Sequence, residues 1–152
     1  AVKKIDKKLY SLILFVGPCP DKLYKKNLFN IVKKYNLSSK IYFSDALYGD
    51  LKWASIYLSR AMLLPSHGEN FGISLVESLS MSRPVITSNK VNIYQDISNY
   101  KCGFISNDDV VSFSNKLLTF EKLNRQEYLK MCVNAKKCFN EKFNLSNLKS
   151  VI

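Results

Sequence analysis

Apolar and polar positions fall in short blocks along this chain, and the blocks switch between two periods. Residues 10–16 (YSLILFV) form a brief, nearly continuous apolar run, which reads as a buried strand ended by Gly17-Pro18. Pro20-Asp21 then opens a helix to about Tyr35, with Leu23, Tyr24, Leu28, Ile31 and Val32 at helical spacing. A turn at 36–39 leads to a short strand at 41–43. A helix follows at 51–60, with Trp53, Ile56 and Tyr57 on one face, and then a strand at 61–64. Further strands are predicted at 84–87 and 102–105, the latter containing Gly103, with a short helix or turn at 91–98 between them. Asp108 or Asp109 caps a helix to about Phe120. Residues 124–139 form a further helix, and the tail to Ile152 is expected to be helical and to return to the body. Strands and helices alternate throughout, so the fold class is α/β, a largely parallel sheet of about five strands flanked by helices.

Residues 1–8 form a basic lead-in that reads as a linker, and 1–152 otherwise read as one domain. Ligands on such sheets bind beyond the carboxyl ends of the strands, where the loops 17–20, 44–50 and 66–71 are expected to meet.

The richest stretch is 63–85, LLPSHGENFGISLVESLSMSRPV. Pro65 ends a strand because it has no N–H to donate. Ser66, His67, Gly68, Glu69 and Asn70 make a loop without an apolar side chain, and Phe71-Gly72 lead into a helix that Pro84 stops. The first N–H groups of a helix lack intrahelical partners and sit at the positive end of its dipole, so this mouth suits an anion. Two carboxylates frame it. Leu75, Val76 and Leu79 share a core face, and Glu77 projects about 150° away from it at ~100° per residue. Glu69 lies beside the mouth. Carboxylates accept hydrogen bonds from paired hydroxyls, which suits a ligand with hydroxyls on both sides of a diphosphate, such as a nucleotide sugar. Taken singly, each residue has a plainer reading: Glu77 as a solvated charge, Phe71 as a core plug, Ser66 as a turn cap and His67, the only histidine, as a solvent-facing loop residue.

The combination Pro65, Ser66, Glu69, Phe71, Gly72, Glu77, Pro84, Val85 and Ile86 resembles the donor-site signature of retaining glycosyltransferases of family four. A weaker resemblance extends over residues 12–118. It implies a Rossmann-like domain, the C-terminal half of a two-domain glycosyltransferase. It also implies that Glu69 is the catalytic residue contacting the donor sugar, that Glu77 holds the ribose, and that Asn70, Phe71, Gly72, Ile73 and Ser74 hold the sugar and diphosphate. Gly17, Phe43, Ser44, Ser66 and His67 become candidates for base or phosphate contacts. No metal and no cofactor are implied; the nucleotide-diphosphate sugar is the substrate.

The resemblance also carries departures. The family's domain begins with an additional strand whose following loop supplies an Arg and a Lys to the diphosphate, whereas residues 10–16 resemble its second strand. The N-terminal domain, which supplies the acceptor site, is not represented. The expectation is a fragment, a degenerate product or one part of a split enzyme, incomplete as a catalyst alone and working with that domain in cis or in trans. Arg83 also stands where the family usually has Gly.

Composition narrows the partners. Hydrophobic residues make up 47% of the chain, enough for a core, and the formal charge is +11. That charge favours anionic partners: nucleotide diphosphates or an anionic membrane surface. The lysines are dispersed in pairs, without a dense basic–aromatic patch, which argues against nucleic acid. No pair among Cys19, Cys102, Cys132 and Cys138 has metal-ligand spacing, so four reduced thiols are expected. No apolar run reaches the roughly 18–20 residues that span a bilayer. The expected place is the cytoplasm, peripheral at the inner membrane face. The expected function is hexosyl transfer with retention in polysaccharide or glycolipid synthesis. The alternative is a non-catalytic nucleotide-binding or scaffold remnant of such an enzyme.

Overall fold

The computed structural model describes Val2 and residues 11–144. The expected linker, Val2 apart, and the tail from 145 lie outside the described residues. The chain divides into two compact units, 1–53 and 54–152.

The first unit is a βαβ element: β1 (Ile13–Val16), α1 (Lys22–Lys34) and β2 (Ile41–Ser44). The strands are parallel, with Ile13 opposite Ile41 and Val16 opposite Ser44. Asp21 starts α1 by accepting the Tyr24 N–H at 2.9 Å. Asn36 ends it in the left-handed region (φ 54°), which Asn tolerates. Phe15 and Phe43 project from the same face of the ladder and stack at 5.2 Å, and Phe29 of α1 reaches Phe43 at 4.8 Å. Val32 and Leu37 are buried. The expectation of a buried first strand is corrected: Leu14, Phe15 and Val16 are 51%, 48% and 46% exposed. An apolar run signals burial only where both faces and both edges find cover. In this unit a two-stranded ladder meets one described helix between its strands. The unit boundary falls inside α2 (Gly49–Leu58).

The second unit continues the alternation with β3 (Met62–Leu64), α3 (Ile73–Ser80), β4 (Val85–Ser88), α4 (Tyr94–Tyr100), β5 (Gly103–Ser106), α5 (Val110–Glu121) and α6 (Arg125–Cys138). A π-helical turn (Phe139–Phe143) closes the described chain. Its strands run parallel in the order β3-β4-β5. The five expected strands are therefore present and parallel, as one ladder of two and one of three. β4 is buried along its whole length, as expected of a central parallel strand covered on both faces. Leu75 and Leu79 of α3, Val85, Val91, Ile97 and Cys102 form the centre of the core, joined by Ala135 and Cys138 of α6. Each such leucine contributes about 1.5–3 kcal/mol by leaving water.

Local chemistry sets the element ends. Asp109, not Asp108, caps α5, accepting the Ser112 N–H at 2.7 Å. Asn124 and Glu127 form a reciprocal capping box at the start of α6. Gly103 admits no side chain, since a Cβ there would lie 2.1 Å from the Val85 carbonyl oxygen. Arg83 is half-buried. Its guanidinium lies 4.8 Å over the Tyr57 ring and donates to the Tyr128 hydroxyl at 3.4 Å, while Ser82 takes the left-handed conformation (φ 59°). All four cysteines are free thiols, three of them buried. Among the described residues, no helix is long and apolar enough to cross a membrane.

Candidate functional site

The carboxyl ends of β3, β4 and β5 point the same way because the ladder is parallel, so the loops that follow them share one edge. Hydrogen bonds join those loops. Glu69 donates its N–H to the Lys90 carbonyl at 3.2 Å, and its own carbonyl accepts the Asn92 N–H at 3.2 Å. This is a one-residue parallel bridge between Glu69 and Val91. Asn89 in turn donates its N–H to the Ser106 carbonyl at 2.9 Å. The Glu69 backbone is fixed on both sides, while its side chain stays at the exposed surface.

Buried hydroxyls extend the same network. Thr87 Oγ1 donates to the Leu64 carbonyl at 2.8 Å, Ser88 Oγ donates to the Ser66 carbonyl, and Ser106 Oγ donates to the Thr87 carbonyl at 3.2 Å. The Lys90 N–H bonds back to Ser88 Oγ at 3.2 Å. Within the loop, Ser66 Oγ accepts the Gly68 N–H at 3.3 Å.

Gly72 joins this loop to α3. It is the helix N-cap in the left-handed region (φ 67°, ψ 55°), and no side chain caps the helix. A Cβ at Gly72 would meet Val91 Cγ1 at 3.0 Å. Glycine therefore lets the chain turn tightly against the Val91 segment and leaves the first N–H groups of α3 without a side-chain acceptor. Leu75 and Leu79 anchor the helix from the far side, both fully buried. Glu77 lies about 6 Å along the axis from Ile73, at 1.5 Å per residue, on the face that Ile73 and Ser74 share. It is half-buried, and Ile73 is exposed.

The structure thus brings Ser66, His67, Glu69, Asn70, Phe71, Gly72, Ile73, Ser74 and Glu77 into one loop and one helix face. Phe71 is about half exposed and meets Phe143 edge-on at 5.9 Å. Gly17, Phe43 and Ser44 belong to the first unit. There, Gly17 donates its N–H to the Ser44 carbonyl at 3.3 Å, Phe43 packs with Phe15 and Phe29, and Pro18, Pro20, Asp45 and Tyr48 line an open hollow between the two loops.

Two features of the site had escaped the sequence. One is the 90–92 segment that clamps Glu69. The other is Asp108, whose Oδ1 lies 2.6 Å from His67 Nδ1 across the loop after β5. The one available signal was their common place after parallel strands.

Residues 1–138 match the family model described as "Glycosyl transferases group 1". The chain belongs to this glycosyltransferase family. A curated relative, the O-antigen biosynthesis glycosyltransferase WclY of Escherichia coli, is 35% identical over 82 residues, which is 54% of this chain and 22% of that protein. A second protein of that name and organism is 32% identical over 97 residues, 64% of this chain and 25% of its own length. The chain spans about a quarter of the curated relatives it matches.

Solved structures show the same fold. A glycosyltransferase from Rickettsia africae superposes with a TM-score of 0.80 at 18% identity, over 98% of this chain and 41% of that one. HepE from Anabaena, solved in complex with UDP, gives 0.80 at 16% identity, over 93% and 39%. The C-terminal domain of LpcC from Francisella tularensis gives 0.69 at 17% identity, over 94% of this chain and 92% of that domain. This member of the glycosyltransferase family therefore has the α/β fold of such a C-terminal domain.

Proposed function

We propose that the Ser66–Glu77 loop and helix bind the nucleotide-diphosphate sugar of a glycosyltransferase that transfers a hexose with retention at the anomeric carbon, in polysaccharide or glycolipid assembly. The observation that carries this reading is the clamped Glu69 beside the uncapped start of α3. A carboxylate on a fixed backbone can meet sugar hydroxyls without reordering the chain at each binding event. The diphosphate then faces the N–H groups of Ile73 and Ser74, where the helix dipole favours negative charge. That charge grows as the sugar leaves, so donors already oriented toward it stabilise the transition state more than the ground state. Glu77, one turn further along the same face, accepts the two ribose hydroxyls. The reaction needs no metal. HepE is described in complexes with UDP and with UDP-glucose, and WclY in O-antigen biosynthesis, which supports a uridine nucleotide and a surface glycan. A further domain, in cis or in trans, supplies the acceptor, at the inner face of the membrane that the +11 charge favours.

The test is calorimetric titration of the chain with UDP, GDP, ADP and their sugars, beside Glu77→Ala. A charged hydrogen bond contributes about 1.5–3 kcal/mol, so loss of Glu77 weakens nucleotide binding by about tenfold or more. Absence of binding to every nucleotide in a folded chain, or equal binding by Glu77→Ala, would overturn the assignment. Supplying the acceptor domain then separates a transferase, which forms product, from a remnant that binds and does not turn over.

A further inference from the structure

His67 leaves the loop with 87% of its side chain exposed, yet its ring is tethered. Nδ1 lies 2.6 Å from Oδ1 of Asp108, which is 41 residues away and only 26% exposed. The adjacent Asp109 is occupied by the α5 cap, and Ser112 Oγ accepts the Asn107 N–H at 2.9 Å, so the turn that holds Asp108 is itself fixed. An ionised carboxylate only accepts hydrogen bonds. The ring proton in this contact is therefore on Nδ1, and Nε2, on the opposite side of the ring, is the nitrogen left for a ligand. The other carboxylate of the loop, Glu69, is two residues away on the clamped backbone.

We propose that Asp108 is a positioning residue of the donor site: it holds His67 by Nδ1 so that Nε2 meets the diphosphate of the nucleotide sugar. This rests on the donor-site reading above. Diphosphate oxygens accept hydrogen bonds, so the contact is made by the doubly protonated ring, Nδ1–H to Asp108 and Nε2–H to phosphate. Asp108 serves this arrangement twice. It fixes the ring plane, and it offsets the positive charge that the ring carries once ligand is bound. A cation delivered by a loop histidine, backed by a carboxylate from the next strand but one, would add to the anion site of α3.

The sequence contains one histidine, so ring nitrogen signals in a long-range proton–nitrogen NMR spectrum need no assignment. At pH 8.5 the ligand-free chain is expected to show the Nδ1-protonated tautomer, and Asp108→Asn to shift toward the Nε2-protonated one. The opposite tautomer in the wild type, or no change in Asp108→Asn, overturns the pairing whatever the fate of the donor reading. Near neutral pH, UDP is expected to shift Nε2, and uridine, which lacks phosphate, to leave it unmoved. His67→Ala and Asp108→Asn should each weaken UDP by about tenfold, with the double variant no weaker than His67→Ala alone, because the two act as a unit. Each is checked for an unchanged melting temperature. If UDP binds the wild type and both variants equally, the inference falls and the donor site stands. If UDP does not bind the wild type, the donor reading fails and takes the inference with it.

Discussion

Replacing Gly72 with alanine tests the turn that shapes the candidate site. Gly72 sits at φ 67°, where an L-residue costs about 1–2 kcal/mol through the approach of Cβ to its own backbone. The new methyl would also lie 3.0 Å from Val91 Cγ1, 3.4 Å from Leu75 Cδ1 and 3.6 Å from Leu64 Cδ2. The last two are ordinary contacts. The first is too close, and Val91 is fully buried and β-branched, so it has little room to rotate away. Crowding of this kind adds about 1 kcal/mol, the lower end of the overpacking range. The expected loss is about 2–3 kcal/mol, read by urea unfolding, or roughly 5–10 °C in melting temperature. Gly68→Ala, in the same loop, is the control: nothing lies within 4 Å of its Cβ, and its φ is outside the left-handed region. It should gain about 0.4–1 kcal/mol by restricting the unfolded chain. A cycle with Val91→Ala separates the two terms. Removing Val91 Cγ1 relieves the clash and leaves the backbone cost, giving a coupling of about 0.5–1 kcal/mol. A Gly72→Ala chain within 0.5 kcal/mol of the wild type, or strict additivity in the cycle, would refute the reasoning.

Two further substitutions probe the frame around the site. Gly103→Ala drives a methyl to 2.1 Å from the Val85 carbonyl oxygen, backbone that cannot swing away, so a loss of about 3 kcal/mol or more is expected in unfolding titrations. A stable, native-like Gly103→Ala chain would contradict the β4–β5 register. Asn124→Ala removes the side-chain acceptor of the Glu127 N–H from the α6 capping box and should cost about 1 kcal/mol, a fall of roughly 2–4 °C by calorimetry.

The elements were legible where the signal is local. Asp21 before a helical period and Pro84 after one each act within a single turn of chain, and the structure places those element ends within a few residues of the cues. The Ser66–Glu77 loop and helix were legible for the same reason, since strand end, loop and helix start are contiguous in sequence. What depends on partners far along the chain was not. Nothing near Glu69 announces that 90–92 will clamp it, and nothing in Asp108-Asp109 says which carboxylate caps α5 and which turns to His67. The apolar run at β1 was read by composition alone, and composition does not report whether a strand finds cover on both faces. Likewise, alternation gave five parallel strands, but strand pairing is a long-range property, so their division into two ladders was invisible.

The buried hydroxyls of Thr87, Ser88 and Ser106 carry a consequence for how such a site can change. They hold their neighbours by backbone carbonyls, and the clamp on Glu69 is also made by main-chain atoms. The loop's shape is therefore written mostly into residues outside the loop. Of the exposed side chains at positions 67, 69 and 70, His67 ties the loop to Asp108, while the Glu69 clamp itself uses only main-chain atoms. A library that randomises 67 and 70 should thus return folded proteins at high frequency and differ in ligand preference rather than in scaffold. A lineage that conserved only the hydroxyls, the glycine at 72 and the Val91 contact could change the exposed side chains of this loop one at a time, each step passing through a stable protein.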